Sequence, residues 1–135
     1  MNIAMGLLQQ DDVYLLQLRN GKKQAGGLNL IGCFGGKIEP GETALQAACR
    51  EVTEESSYAP TTQQAELLGE VNVNSDWKDQ TITVHATVYL FQVPPQTKVT
   101  AHEGELVTMS LGEIRRSLDK FTPGTRACFE QLVKE

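Results

Sequence analysis

Short apolar runs broken by polar, glycine-rich stretches set the rhythm of this chain. Residues 2–9 (NIAMGLLQ) and 13–19 (VYLLQLR) predict two strands around an Asp11-Asp12 turn. Residues 20–27 (NGKKQAGG) predict a loop. LNLIGCF (28–34) predicts a short strand entering a turn, and GGKIEPGE (35–42), with three glycines and a proline, predicts a structured loop. In 43–57 the pattern changes to a helical one: Leu45, Ala48, Cys49 and Val52 recur at i, i+3, i+4, i+7. Thr43 and Gln46 fit a capping box at its start, and Pro60 lies just beyond its end. Glu66–Asn74 and Gln80–Val93 predict two strands, with Asp76–Asp79 as their turn and Ile82, Val84, Ala86, Val88 and Leu90 alternating along the second. Leu106–Met109 predicts a last strand, and 110–118 and 125–135 predict short helices. Strands and helices mix without a βαβ rhythm, so a mixed sheet with helices packed on it is expected.

Composition narrows the class. A chain of 135 residues, 40% hydrophobic and 21% charged, suits one folded domain over 1–135 and excludes a disordered or low-complexity chain. Its apolar runs fall far short of the ~20 residues that span a membrane. The segment MNIAMGLLQQDD shows no basic region followed by a cleavage pattern, so a cytoplasmic protein is expected. The net charge of −5 argues against non-specific binding to nucleic acid or anionic membranes. Cys33, Cys49 and Cys128 have no CxxC spacing and read as free thiols, with Cys33 and Cys49 as small core residues. His85 and His102 stand far from any cysteine pair, which leaves no structural zinc set.

The helix from Thr43 has a second face. Glu51, Glu54 and Glu55 are spaced to project together, with Arg50 beside them and Glu42 just before the helix. Like charges at this spacing repel. Such a face is either simply solvated or a site for hard divalent cations, which take carboxylate and carbonyl oxygens. Gly35 and Gly36, upstream, allow a backbone carbonyl to approach a metal closely.

From Gly36 the chain reads G-KIEPG-E-TALQAAC-REVTEESSY. This resembles the Nudix hydrolase signature, G-x5-E-x7-R-E-U-x-E-E-x-G-U, where U is a bulky apolar residue. Gly36, Glu42, Arg50, Glu51, Val52, Glu54 and Glu55 match over residues 36–58. Ser57 replaces the family's glycine and Tyr58 stands at the final bulky position. Without that glycine, either a longer helix or a changed turn is expected.

The resemblance implies an α/β/α sandwich around a mixed sheet, with the signature forming loop, helix and loop. It implies hydrolysis of a nucleoside diphosphate linked to another group, with Mg²⁺ or Mn²⁺. By the same resemblance, Glu51, Glu54 and Glu55 bind metal together with the Gly36 carbonyl. Glu51 or Glu54 is the general base, Arg50 orients a glutamate, and Glu42 supports the set. Glu103 is the candidate for a further metal-binding acid, with Glu105 second. Arg19 and Lys37 are candidates for the substrate phosphates. Phe34 is a candidate for the core or the base pocket, with the core favoured, and Trp77 for stacking on a base or, in preference, packing against a neighbouring loop. The segment FTPGTR (121–126) lies where related enzymes read the base. Thr125 there offers one rotating hydroxyl, which implies modest discrimination between bases. The expected substrate is a small nucleotide, most like a nucleoside triphosphate, oxidised forms included, cut to monophosphate and pyrophosphate by a monomer or homodimer. An ADP-ribose or sugar-nucleotide diphosphatase, and a binding module that holds a nucleotide without cleaving it, are the alternatives.

Overall fold

The computed structural model describes residues 1–19, 29–77 and 79–134. The expected loop at 20–27, the start of the third strand at Leu28, the Trp77 side chain and Lys78 lie outside the described residues.

β1 (Asn2–Gln10) and β2 (Val13–Arg19) form a hairpin whose turn residue Asp11 takes φ 54°. They pair only near the turn, from Leu8↔Leu15 to Gln10↔Val13. Beyond it they splay, and one segment fills the wedge in two pieces. β3 (Leu30–Gly32) pairs with β2 at Gln17–Arg19, and β4 (Phe34–Lys37) pairs with β1 at Ile3–Gly6. Cys33 sits at the step between them. β5 (Ala65–Trp77) and β6 (Gln80–Gln92) form a long antiparallel pair, and β6 lies parallel to β1. β7 (Glu105–Ser110) closes the other side of β2, giving a mixed sheet of seven strands among the described residues.

Alternate residues of this sheet bury against different helices. Met5, Leu7 and Leu16 join Ala86 and Val88 under Ile114, Ala127, Cys128 and Phe129. Ala4, Leu8, Leu15 and Phe91 join Phe34 under Ala47, Ala48 and Val52. Helix α1 (Ala44–Glu55) therefore covers one face, and α2 (Leu111–Arg115) with α3 (Pro123–Gln131) covers the other. This is the expected α/β/α arrangement. Among the described residues no helix is long and apolar enough to cross a membrane.

The structure differs from the sequence reading in five places. The turn expected at Asp76–Asp79 is shorter, because the backbones of Asp76 and Trp77 still pair with Thr81 and Gln80 and extend β5 to Trp77. Gly35, Gly36 and Lys37 belong to a strand rather than a loop, because their backbone pairs with β1. The alternation in β6 breaks at Phe91, fully buried on the α1 side, since both faces of the sheet are covered there. The last helix starts at Pro123, not Thr125. Proline suits the first helical position because its fixed φ is already helical and it has no N–H to leave unpaired. The helix expected at 110–118 is a single capped turn, followed by a 3-10 turn at Leu118–Lys120.

Cys33 and Cys128 are buried and Cys49 is half-buried, and burial pushes the Cys33 thiol up to about 11. His85, on the outer face of β6, lies between Asn72 and Glu70 and is hydrogen-bonded to both.

Candidate active site

Helix α1 begins as its sequence requires. Thr43 Oγ1 accepts the Gln46 N–H, and the Gln46 side chain accepts the Thr43 N–H. It ends at Ser56, whose extended backbone turns the chain away. Ser57 does not adopt a left-handed conformation. Its N–H donates to Thr100 O at 2.9 Å, and its hydroxyl accepts the Thr100 N–H at 2.9 Å. The turn has changed, not the helix length, and serine does here what glycine does not: it fastens the helix end to the loop before β7. His102 continues that fastening, with its N–H on Glu55 O and its Nδ1 on Glu54 O.

Arg50 organises the acidic face. Its Nε and Nη2 form a fork on Glu42, at 2.8 and 3.0 Å. Nη1 donates to Glu51 at 2.9 Å and to Glu54 at 3.3 Å, and Nη2 also donates to the Lys37 carbonyl at 3.0 Å. Hydrogen bonds from Arg50 hold the Glu42 carboxyl below the usual carboxylate range, helped by the Glu39 N–H. The same partners hold the guanidinium charged. Arg50→Met is expected to lower the melting temperature at low salt, because three carboxylates lose their common partner. The gap should narrow in 1 M salt, where like-charge repulsion is screened. An equal gap at both salt concentrations would show that Arg50 contributes packing only.

Glu51 and Glu55 reach the same strand by different routes. Glu51 lies directly over Gly36: a Cβ at that position would stand 2.5 Å from Glu51 Oε1. Glu55 turns inward, accepting the Gly35 N–H at 3.0 Å and the Gln17 amide at 3.4 Å. Burial pushes its carboxyl up to about 7. The Gly35 N–H opposes this, the charges of Glu51 and Glu103 add to it, and Arg19 opposes it. Glu103 comes close because the next residue, Gly104, has φ 79° and packs against the Leu18 carbonyl, where a Cβ would stand 2.2 Å away. Glu105 instead lies in β7, opposite Leu18.

Among the described residues no three acidic, histidine or cysteine side chains converge at ligating distance. The reason is visible in the contacts: Arg50 draws Glu51 and Glu54 together while the Gly35 amide draws Glu55 inward. The donors themselves, three carboxylates beside a glycine pair, are the hard oxygens that Mg²⁺ or Mn²⁺ prefers. Gln17 Oε1, buried beside Glu55, has no partner among the described residues. Gln17 was not legible as a site residue, because in VYLLQLR it reads as the polar half of an alternating strand.

A cleft of about 500 Å³ opens from this face. Arg19, Lys37, Glu55, Gly35 and Gly36 line one part of it, and Met1, Ile3, Met5, Val73, Ile82 and Val84 form an apolar wall. Thr122, Pro123, Gly124 and Thr125 close it. The Thr125 side chain, 2% exposed, is already engaged: Oγ1 accepts the Cys33 N–H at 3.0 Å and the Thr122 hydroxyl at 2.9 Å. Phe34 is fully buried in the core rather than in the cleft.

A family model described as NUDIX domain matches residues 2–132. Several solved structures share the fold. A MutT NUDIX hydrolase from Burkholderia pseudomallei superposes with a TM-score of 0.74 at 23% identity, covering 98% of this chain and 97% of that one. The E. coli dihydroneopterin triphosphate pyrophosphohydrolase gives 0.72 at 19% identity, covering 98% and 94%. The NUDIX domain of Shewanella oneidensis NrtR, solved with ADP ribose, gives 0.72 at 18% identity, covering 97% and 84%. Comparison with curated proteins gives no match.

Proposed function

This chain belongs to the Nudix family, whose members are hydrolases acting on pyrophosphate bonds with divalent metal ions, and on that premise we propose that it cuts a nucleoside triphosphate, oxidised forms included, to the monophosphate and pyrophosphate. The observation that carries this reading is the polarity of the cleft. One apolar chamber continues directly from a charged end that holds Arg19, Lys37 and Glu55, as a single base joined to its phosphates requires.

Glu51, Glu54 and Glu55 would hold Mg²⁺ or Mn²⁺, with the Gly36 carbonyl and Glu103 completing the set. A cation bound there polarises phosphoryl oxygens and makes water more acidic. Arg50 fixes the carboxylates against their own repulsion, with Glu42 as its second anchor. Glu54 is the more exposed of the Arg50-bound pair, at 57% against 13% for Glu51, and Arg50 Nη1 holds its two oxygens only at 3.3 and 3.4 Å, so it is the carboxylate that takes the proton from the attacking water. Arg19 and Lys37 offset charge on the phosphates. The apolar wall excludes water from one face of the base. The partner is a small nucleotide handled by a monomer or homodimer, and the net charge of −5 disfavours a nucleic acid.

The test is product analysis over nucleoside triphosphates, oxidised nucleotides, ADP-ribose and sugar nucleotides, with Mg²⁺ and with chelator. Pyrophosphate release from several triphosphates, abolished by chelator, is expected. Release of inorganic phosphate alone, or turnover confined to ADP-ribose or a sugar nucleotide, overturns the reading.

A further inference from the structure

Residues 97–104, ahead of β7, form neither helix nor strand, so no regular element sets the place of Glu103. It is set from two sides instead. On one side is the end of α1, whose last carbonyls have no partner within the helix. His102 takes two of them. Its N–H donates to Glu55 O at 2.8 Å, and its Nδ1 bonds Glu54 O at 2.9 Å. A carbonyl only accepts, so Nδ1 carries the hydrogen. Just before it, Ala101 and Ser56 form an antiparallel bridge, and Ser57 and Thr100 exchange two hydrogen bonds of 2.9 Å. On the other side Gly104, at φ 79°, packs against the Leu18 carbonyl of β2. Glu103 stands between these fastenings, and its charge reaches Glu55. Two carboxylates repel, and an acid on an untied loop would swing out to solvent. The fastenings oppose that movement.

Resting on the reading of Glu55 and Glu103 as parts of one cation site, we propose that His102 is a positioning residue of that site: it ties the strap 100–104 to the end of α1 and so holds Glu103 beside the helix that carries the other carboxylates. The two carbonyls it binds belong to Glu54 and Glu55 themselves, so the strap is fastened to the backbone of the residues whose side chains it must meet. Ser57 shares the task. A glycine there would keep the N–H that donates to Thr100 O but would lack the hydroxyl that accepts the Thr100 N–H. The departure of Ser57 from the family pattern therefore adds one bond to the fastening. His102 acts through Glu103 and not on the cation, because its Nδ1–H is spent on Glu54 O.

Mn²⁺ titration of the intact protein by electron paramagnetic resonance, with no nucleotide present, tests this. Glu103→Gln is expected to weaken Mn²⁺ binding about tenfold, and His102→Leu about fivefold. His102→Asn is expected to recover most of the loss, because its amide nitrogen can donate from the place of Nδ1. In a Glu103→Gln background His102→Leu is expected to add less than about twofold, since the acid it positions is gone. An equal loss in both backgrounds, no loss in His102→Leu, no recovery in His102→Asn, or no loss in Glu103→Gln overturns the proposal. Ser57→Ala, which gives up one hydrogen bond at an exposed position, is titrated alongside. Its smaller loss must vanish in the same background, so the proposal stays testable if His102→Leu folds poorly. Mn²⁺ binding that Glu54→Gln removes but the Glu103 and His102 variants leave unchanged keeps the cation site and removes this proposal alone. A wild-type protein that binds no Mn²⁺ removes both.

Discussion

Glu55→Gln is expected to be more stable than the wild-type protein at pH 8 in the absence of divalent cations, and to lose about a hundredfold or more of its activity. Both effects come from one buried carboxyl. In the folded protein it holds its proton up to about pH 7, whereas an unfolded chain releases it near the ordinary value of 4.5. Between those values the folded state binds more protons than the unfolded one, so stability falls as pH rises through this window and is flat above it. The loss is about 2 kcal/mol for a group this buried. Glutamine stays neutral at every pH, and its carbonyl still accepts the Gly35 N–H. Urea melts at pH 5 and pH 8 with chelator present should therefore show the wild-type protein weakening with pH by that amount more than the variant. The same slope in both proteins would remove Glu55 as its source. Added Mg²⁺ should raise the wild-type melting temperature at pH 8 and leave the variant nearly unmoved, because a cation that binds only the folded state stabilises it in proportion to its affinity. The carboxylate that costs folding energy alone is the one a cation would need ionised.

The acidic face was legible because it is local. Glu51, Glu54 and Glu55 share a helix, so spacing alone puts them on one face, and the Thr43–Gln46 capping box fixes where that helix starts. Positions whose reason lies across the fold were not legible. Gly35, Gly36 and Lys37 read as a loop by their glycines, yet the small residues serve a strand wedged between splayed hairpin arms, where Ala4 and Glu51 leave no room for a Cβ. Gln17 reads as an exposed polar position, and only the pairing of β2 with both β3 and β7 buries it to 3% exposure beside Glu55. Thr125 reads as a free hydroxyl for a ligand, and only the step at Cys33, 92 residues away, shows what engages it. Ser57 departs from the family pattern, and its partner Thr100 lies 43 residues on, in a stretch with no periodicity to place it.

The paired glycines make the second large prediction, because the two neighbours fail differently. At Gly35 an added Cβ would stand 2.5 Å from the Ala4 carbonyl oxygen and 3.0 Å from Met5 Cα. Both are backbone atoms of the buried strand β1, which cannot move without separating the β1–β4 pair. Gly35→Ala should cost about 1–3 kcal/mol of stability, as overpacking of a closed core does. At Gly36 the atoms in the way are Oε1, Cδ and Oε2 of Glu51, at 2.5 to 2.9 Å, the mobile end of a long side chain. Gly36→Ala should therefore fold with nearly wild-type stability, while its methyl pushes the Glu51 carboxylate off the strand and away from the place Arg50 holds it. Activity is expected to drop about a hundredfold, with Mn²⁺ affinity falling alongside it. Circular dichroism melts, turnover and Mn²⁺ titration by electron paramagnetic resonance separate the two outcomes. A Gly36→Ala protein that is active and binds Mn²⁺ normally would mean that the position of Glu51 over this strand has no part in catalysis. A Gly35→Ala protein as stable as wild type would mean that β1 and β4 have slack that their register, Met5 opposite Gly35, does not suggest.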